Sequence, residues 1–231
     1  AISRRPDAYE HIDPEVIGNG TRFVVSEMAG RSTLELKANE LGIDLDGKVL
    51  GDVVEVLKRL EYEGYHFEVA DASLELLMRG ASGWKQDFFE VESFTVDMNH
   101  IGSGSRAWNE ISVEVDTRAV VDLFVDGEKK VGLGDGNGPV NAIDTALRSV
   151  LTDSYPELQA ISLVDYKVRV LDTEKGTGAV TRVLLDSTNG EANWTTIGVS
   201  ENIIEASWQA LIDSLVYGLL HSPHRDMPQS E

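Results

Sequence analysis

The chain has 231 residues, enough for one large domain or two modest ones with a sizeable core. It carries 40 acidic against 20 basic residues, a formal net charge of -20, and such a field repels nucleic acid and anionic lipid. Because the chain has no cysteine and no uninterrupted apolar run that could span a bilayer, we expect a cytoplasmic protein with neither a nucleic-acid nor a membrane partner.

The first region of the chain has the apolar spacing of helices. The pattern predicts three of them, over residues 26–42, 48–64 and 71–80. Asp71 is a candidate N-cap of the third helix. The sequence GASG at 80–83 is the predicted domain boundary, because clustered glycines favour a hinge.

After this boundary, apolar and polar residues alternate as in half-buried strands. The pattern predicts strands at 88–100, 109–117 and 119–127, then a glycine-rich loop at 132–138 and a helix over 139–151. The same order recurs with strands at 160–172, 179–187 and 193–200, followed by a helix over 201–220.

The two predicted helices are also similar residue by residue. NAIDTAL from Asn141 and EASWQAL from Glu205 align, and their shared positions pair Ala142 with Ala206, Ala146 with Ala210, Leu147 with Leu211 and, upstream, Gly134 with Gly198. The order of elements and this match predict an α+β fold. Its parts are a helical domain over 1–83, a pseudo-symmetric domain of two βββα units over 84–221, and a tail over 222–231.

The glycine-rich segment GLGDGNGP is the main candidate for a binding site. It lacks the Lys-Ser/Thr of a P-loop and the spacing of a dinucleotide fingerprint. Glycines before a helix that begins at Pro139 would let a carboxylate reach the helix N-terminus, and Asp135 could pair with an ammonium group. An amino acid carries both charges. A plain turn with a helix cap also explains the motif, and the motif by itself favours this alternative.

We find no self-contained active site in the sequence. The five histidines form neither an H-x-H nor an H-E-x-x-H pair, and the nucleophile motif G-x-S-x-G is absent. The histidines are His11, His66, His100, His221 and His224. We therefore predict no metal site and no cofactor in this chain.

Five blocks of sequence together carry a family resemblance. They are YEHIDPEVIGN, SEMAGRS, GYHFEVADASLELLMR, GNGPVNAIDTAL and GVSENIIEASWQALIDSLVY, in this order. They resemble the C-terminal half of the α-isopropylmalate and homocitrate synthase family, in particular its citramalate synthase branch. The resemblance covers nearly the whole chain.

This resemblance implies that catalysis and regulation belong to different domains of the parent enzyme. In the family, a TIM barrel with a divalent metal condenses acetyl-CoA with a 2-oxoacid, and the present chain has no sign of that barrel. The chain would then be an inactive fragment of an acyltransferase, comprising the helical linker and the regulatory domain. The family's regulatory domain forms a homodimer and binds leucine or isoleucine as a feedback inhibitor.

The resemblance also implies site residues. The effector-binding candidates are Gly134, Gly136, Gly138, Pro139, Ala142, Leu163, Tyr166 and Ala179. Tyr9 and His11 match the start of a linker segment that reaches the neighbouring subunit's active site, so they are accessory candidates. Met28 and Ala29 stand where related synthases have a histidine, which argues against a catalytic role for SEMAGRS.

Similarity to the citramalate branch favours pyruvate as the 2-oxoacid of the parent enzyme and isoleucine as the effector. Two alternatives stay open. The chain could be a dimerisation scaffold without an effector site, or the leucine-regulated region of an α-isopropylmalate synthase. The response to amino acids distinguishes these alternatives.

Overall fold

The structure is a computed structural model that describes residues 31–101 and 114–222. In these residues the chain is α+β and forms no barrel. A helical part comes first, with α1 (Arg31–Glu40), α2 (Gly47–Glu63) and α3 (Asp71–Ala81). The first βββα unit contains β1 (Glu90–Ile101), β2 (Glu114–Val125), β3 (Glu128–Gly136) and α4 (Pro139–Ser154). The second contains β4 (Ser162–Val170), β5 (Thr181–Thr188), β6 (Asn193–Ser200) and α5 (Ile203–Leu220). Short 3-10 turns occupy Pro156–Ala160 and Thr173–Gly178.

The ends of α2 follow from local chemistry. The Asp46 carboxylate accepts hydrogen bonds from the backbone N–H groups of Lys48 and Val49, at 2.7 and 2.8 Å, and so caps the helix. Gly64 ends the helix in the left-handed region, at φ 116°, where a side chain would be strained. The predicted helix and its glycine stop are confirmed.

The first turn of α3 differs in detail from the prediction. Asp71 is the first residue of the helix and Ala70 is its N-cap. The Asp71 carboxylate accepts from the N–H of Ala72 at 3.1 Å and from the N–H of Thr195, on β6, at 3.4 Å. A residue predicted to act only on its own helix therefore also contacts the second sheet.

The six strands form two antiparallel sheets, ordered β1-β2-β3 and β4-β5-β6. The registers of the two sheets are equivalent. One row of the first sheet pairs Val96, Ala119 and Gly134, and the corresponding row of the second pairs Val168, Val183 and Gly198. The pseudo-symmetric fold of two βββα units is confirmed.

The predicted boundaries of the second and third strands of the first unit are wrong, whereas the first strand is confirmed as β1. Residues 114–125 form one continuous strand, β2, where two strands were expected at 109–117 and 119–127. The third strand is the glycine-rich segment itself, because β3 extends to Gly136. The loop predicted at 132–138 therefore shrinks to Asn137 and Gly138.

The glycines of β3 are explained by the helix that lies on them. A Cβ atom at Gly134 would lie 2.9 Å from the Cα of Ala146, and one at Gly136 would lie 2.5 Å from the backbone nitrogen of Ala142. Gly198 of β6 meets α5 in the same way, with a Cβ 2.9 Å from the carbonyl carbon of Ala206. Each sheet thus packs its helix at backbone distance, which only glycine permits.

Helices α4 and α5 cover the inner faces of the sheets and share the largest apolar core. The helical part packs on the opposite face of the second sheet, where Leu184, Ile197 and Val199 join its core. In the part of the chain that the structure describes, α5 alone is long and apolar enough to cross a membrane by composition, but half of it is buried as a core helix.

Candidate functional site

The predicted effector residues of the first unit lie together at the start of α4. Gly134 and Gly136 lie beneath the helix, and Ala142 is completely buried above them. Pro139 is the first residue of α4, and Gly138 precedes it in an extended conformation, at φ 178°. An atom added at Gly138 would meet open space, unlike one at Gly134 or Gly136.

The predicted residues of the second unit lie on a different sheet. Leu163 and Tyr166 belong to β4, and Ala179 is buried just before β5. The Tyr166 hydroxyl is 2.7 Å from the hydroxyl of Ser207 on α5. Within this chain the structure does not bring the two groups onto one sheet, so a joint role for all eight residues stays a prediction.

Several other predicted positions carry less information. Tyr9, His11 and His224 lie outside the described residues. His66 pairs with Glu68 at 3.1 Å on the surface. Across residues 31–101 and 114–222, no group of three or more His, Asp or Glu side chains is placed to hold a metal ion.

The N-terminus of α4 differs from that of α5. Asn202 caps α5, because its side-chain oxygen accepts from the N–H of Ile204 at 2.9 Å. Gly138 has no side chain to cap α4, so the first N–H groups of α4 have no side-chain partner at the cap position. The carboxylate of Asp135 pairs with Arg118 at 2.7 Å, and this bond raises the pKa of the arginine.

A buried hydroxyl lies beside this helix start. Thr117 is directly opposite Gly136 on β2 and is fully buried. Its Oγ1 is the buried side-chain polar atom without a hydrogen-bond partner among the described residues. Such groups are rare and call for an explanation, because a buried hydroxyl without a partner costs free energy. The sequence analysis did not select Thr117, since a threonine in a strand is ordinary.

Strand β4 has an apolar row that stays more than one third exposed. We call Tyr166, Val168 and Val170 of this row, together with Ile203 at the start of α5, the β4 patch; they are 41, 41, 46 and 43% exposed. The equivalent row of the first sheet is partly buried, because Phe94 stacks on Trp208 of α5 at 4.3 Å between ring centroids. On the second sheet, α5 contacts the Tyr166 hydroxyl through Ser207 but leaves Val168 and Val170 exposed.

The free edge of β6 is bonded by side chains in place of another strand. The N–H of Ile197 donates to the Ser73 hydroxyl at 3.1 Å, and the N–H of Val199 donates to the Gln209 side chain at 3.1 Å. The Tyr65 hydroxyl donates to the same Gln209 oxygen at 3.0 Å. The helical part is thereby attached to the edge of the second sheet.

An ion-pair cluster joins the far ends of α3 and α5. Glu75 is only 2% exposed, and its carboxylate contacts Arg79 at 2.7 Å and His221 at 2.9 Å. Burial opposes ionisation of Glu75, but the hydrogen bonds from His221 and Arg79 outweigh it and lower the pKa of its carboxyl. The cluster holds the end of α5 against α3.

Asp213 faces α3 from the middle of α5. The Ser73 hydroxyl donates to its carboxylate at 2.6 Å. Burial raises the pKa of Asp213 to about 6, and the bond from Ser73 offsets only part of that rise. Asp213 lines a cleft of about 500 Å³ between the helical part and α5. The sequence analysis missed this residue, although a carboxylate in the middle of an apolar helix was a signal.

Together, these features define a class of protein: a doubled βββα domain that packs its own helices inside and leaves one apolar strand row exposed. Comparison with known families agrees. Residues 68–219 match the LeuA allosteric (dimerisation) domain, and residues 1–64 match the homocitrate synthase post-HMGL domain-like family. The chain belongs to the LeuA allosteric (dimerisation) domain family. The predicted family resemblance is confirmed.

Three relatives of the chain are (R)-citramalate synthases. The (R)-citramalate synthase of Streptomyces coelicolor is 50% identical over 96% of this chain, which corresponds to 40% of that protein. The (R)-citramalate synthase of Aquifex aeolicus is 44% identical over 95% of the chain and 40% of its own length. That of Sulfolobus acidocaldarius is 38% identical over 95% and 39%. The chain thus spans about 40% of the length of these relatives.

Proposed function

We propose that this chain is the linker and regulatory region of a citramalate synthase, an acyltransferase that condenses acetyl-CoA with pyruvate. The observation that carries the proposal is the 50% identity to an (R)-citramalate synthase over nearly the whole chain. The chemistry and its divalent metal would belong to a barrel, and this region alone would be catalytically inactive. Its role would be to dimerise and to bind isoleucine as a feedback inhibitor.

The β4 patch supports a homodimer. Its apolar side chains stand on the inner face of the second sheet, the face that α5 covers elsewhere. In the first sheet, Trp208 of the second unit stacks on Phe94 of the equivalent row. A helix from a second copy would complete the second sheet in the same manner, and burial of such a row removes apolar surface from water.

Val168→Asp is expected to convert the dimer to a monomer. A carboxylate buried in an apolar interface must be desolvated without a partner, so we expect the dissociation constant to rise on the order of 100-fold. Sedimentation equilibrium of the full chain at several concentrations measures this change.

The matched control is Leu133→Asp. Leu133 is 61% exposed on β3, away from the β4 patch. The control variant should dimerise like the unchanged protein. A Val168→Asp variant that stays dimeric, or a Leu133→Asp variant that dissociates, would place the interface elsewhere.

Two features of the first unit and one of the second support an amino-acid effector. The uncapped start of α4 offers backbone N–H groups to a carboxylate. The Thr117 hydroxyl nearby has no partner of its own. The Tyr166 hydroxyl lies on the β4 patch, so a dimer that covers this patch could bring it to a site on the other copy.

Isothermal titration of the folded dimer with isoleucine, leucine and valine tests this effector. We expect selective isoleucine binding that weakens at least about tenfold in Tyr166→Ala and in Gly138→Val, because a lost hydroxyl contact or a blocked helix start removes about 1.4 kcal/mol or more. Tyr62→Ala is the control, since Tyr62 is 94% exposed on α2. Unchanged isoleucine affinity in both site variants would contradict the site assignment.

Two alternatives predict other outcomes of the same titration. Leucine selectivity would keep the architecture and change the parent enzyme to an α-isopropylmalate synthase. A folded dimer that binds none of the three amino acids would be a dimerisation scaffold.

Regulation requires the effector to favour one arrangement of the linker over another. A coupling free energy of about 1–3 kcal/mol is sufficient for useful feedback. The hydrogen bonds of Ser73 to Ile197 on the β6 edge and of Tyr65 to Gln209 on α5 are a direct physical connection from the linker helices to the regulatory domain. We propose that a change in the dimer would reach the linker through this edge.

A further inference from the structure

A cleft separates the helical part from α5. It has a volume of about 500 Å³, within the range of small-molecule sites. Leu60, Leu76 and Leu77 form part of its helical wall, and Ile212 and Trp208 lie on the α5 side. None of the eight predicted effector residues lines it, so it is a separate site.

The polar groups of the cleft are acidic. Two carboxylates line it, Glu205 and Asp213, which are eight residues apart on α5, and none of the lining residues is Lys, Arg or His. By helix geometry, eight residues correspond to about 12 Å, so the two carboxylates stand at opposite ends of an elongated site. Gln209 lies between them and donates to Glu205 at 3.1 Å.

The carboxylate of Asp213 has unused hydrogen-bonding capacity. A carboxylate can accept about four hydrogen bonds, and Ser73 supplies one. Burial without a cation raises the pKa of this group. A bound cation would favour the ionised form that burial disfavours.

The aromatic side chains of the cleft also suit a cation. Tyr65 and Trp208 both line it, and aromatic faces attract ammonium groups. Burial raises the pKa of the Tyr65 phenol, and the nearby charges of Asp213, Glu63 and Glu205 raise it further. The phenol therefore lies in the negative field of three carboxylates.

We propose that this cleft binds a small organic cation, an ammonium group carried on an apolar chain. The ammonium would pair with Asp213, and the apolar chain would lie along Leu76, Leu77 and Ile212. A free amino acid would be a poor ligand, because its own carboxylate would meet the negative field of the cleft.

Titration of the full chain with hexylammonium chloride at pH 7.5 tests this site. 1-Hexanol and sodium hexanoate have the same apolar chain and differ in charge. We expect hexylammonium to bind at least about tenfold more tightly than hexanol, because one ion pair in a partly desolvated site is sufficient for this ratio. Hexanoate should not bind. Equal binding of the cation and the alcohol, or binding of neither, would overturn the proposal.

The pH dependence of the affinity tests the role of Asp213. The titratable group that faces it is Tyr65, just after α2, and Glu205 of α5 lies at the far end of the cleft; Ser73 of α3 faces it but does not titrate. Because a pKa of about 6 leaves roughly one tenth of the carboxyl ionised at pH 5, we expect about tenfold weaker hexylammonium binding at pH 5 than at pH 7.5. A pH-independent affinity would contradict the assignment.

Asp213→Asn should weaken hexylammonium binding at least about tenfold, since the neutral amide keeps the shape but not the charge of the carboxylate. The affinity of this variant should also be independent of pH. Glu205→Gln is a second variant and should lose less, because Glu205 lies at the far end of the cleft. Asp52→Asn, on the exposed side of α2, is the matched control and should bind like the unchanged chain. Unchanged hexylammonium affinity in Asp213→Asn would contradict the proposal.

Discussion

Gly198→Ala is expected to lower the free energy of unfolding by about 3 kcal/mol. The new Cβ would lie 2.9 Å from the carbonyl carbon of Ala206 and 3.0 Å from the Cβ of Gln209, and it would approach the Ala206 oxygen even more closely. The atoms in the way belong to the helix backbone, which cannot adopt another rotamer as a side chain could. The helix must therefore move away from the sheet and give up contacts of the core.

Urea denaturation followed by circular dichroism measures this loss. Gly138→Ala is the control, because a Cβ there meets no atom within 4 Å and its extended backbone accepts any residue. The pseudo-repeat makes a second prediction from the same geometry: Gly134→Ala should destabilise the first unit by a comparable amount. If Gly198→Ala and Gly138→Ala proved equally stable, close strand–helix packing would not be the reason for glycine at position 198.

Asp213→Asn is expected to stabilise the fold at pH 7.5 by about 2–3 kcal/mol. The pKa of Asp213 is about 6 in the folded chain against an ordinary value of 3.8, so the folded state binds the proton more tightly than the unfolded state. Above pH 6 the folded protein must hold a buried charge, which costs free energy. As the pH falls from 6 to 4, the carboxyl is protonated in the folded state and that cost disappears.

Thermal unfolding between pH 4.5 and 8 measures this linkage. The unchanged chain should lose stability as the pH rises from 4.5 to about 6 and level off above it, and Asp213→Asn should lack that slope, while Asp52→Asn should keep it. Glu75 has the opposite effect on stability, because its pKa is lowered in the folded chain. Its ionised carboxylate stabilises the fold at neutral pH, and this stabilisation is lost as the pH falls below the ordinary pKa of a glutamate. Equal slopes for the unchanged chain and Asp213→Asn would show that Asp213 is not the titrating group.

The helical part could be predicted from the sequence because its signals are local. In α2, apolar residues at three- and four-residue spacing define one face, and Gly64 marks the end through its own backbone preference. The second unit was predicted equally well, since its three strands alternate clearly and are separated by turns. The repeat was visible because Ala142 and Ala206 pack on glycines in equivalent rows.

The first unit shows where local signals are ambiguous. A glycine in every second position is typical both of a loop that approaches a ligand and of a strand beneath a helix. The choice depends on α4, whose backbone lies over Gly134 and Gly136, and no feature of the segment itself reports that helix. The prediction of a loop was wrong for this reason.

The sequence by itself determined the family, the α+β class, the doubled βββα unit and the absence of a recognisable active-site motif. Only the tertiary structure decided which groups meet: Ser73 bonds Asp213 across 140 residues, and Glu75 meets His221 across 146. It also decided that Phe94 of β1 is covered by Trp208, while Tyr166 in the equivalent position of β4 stays 41% exposed. The physical reason is that periodicity and capping depend on neighbours within a few residues, whereas burial and pKa shifts depend on whichever distant element packs on top.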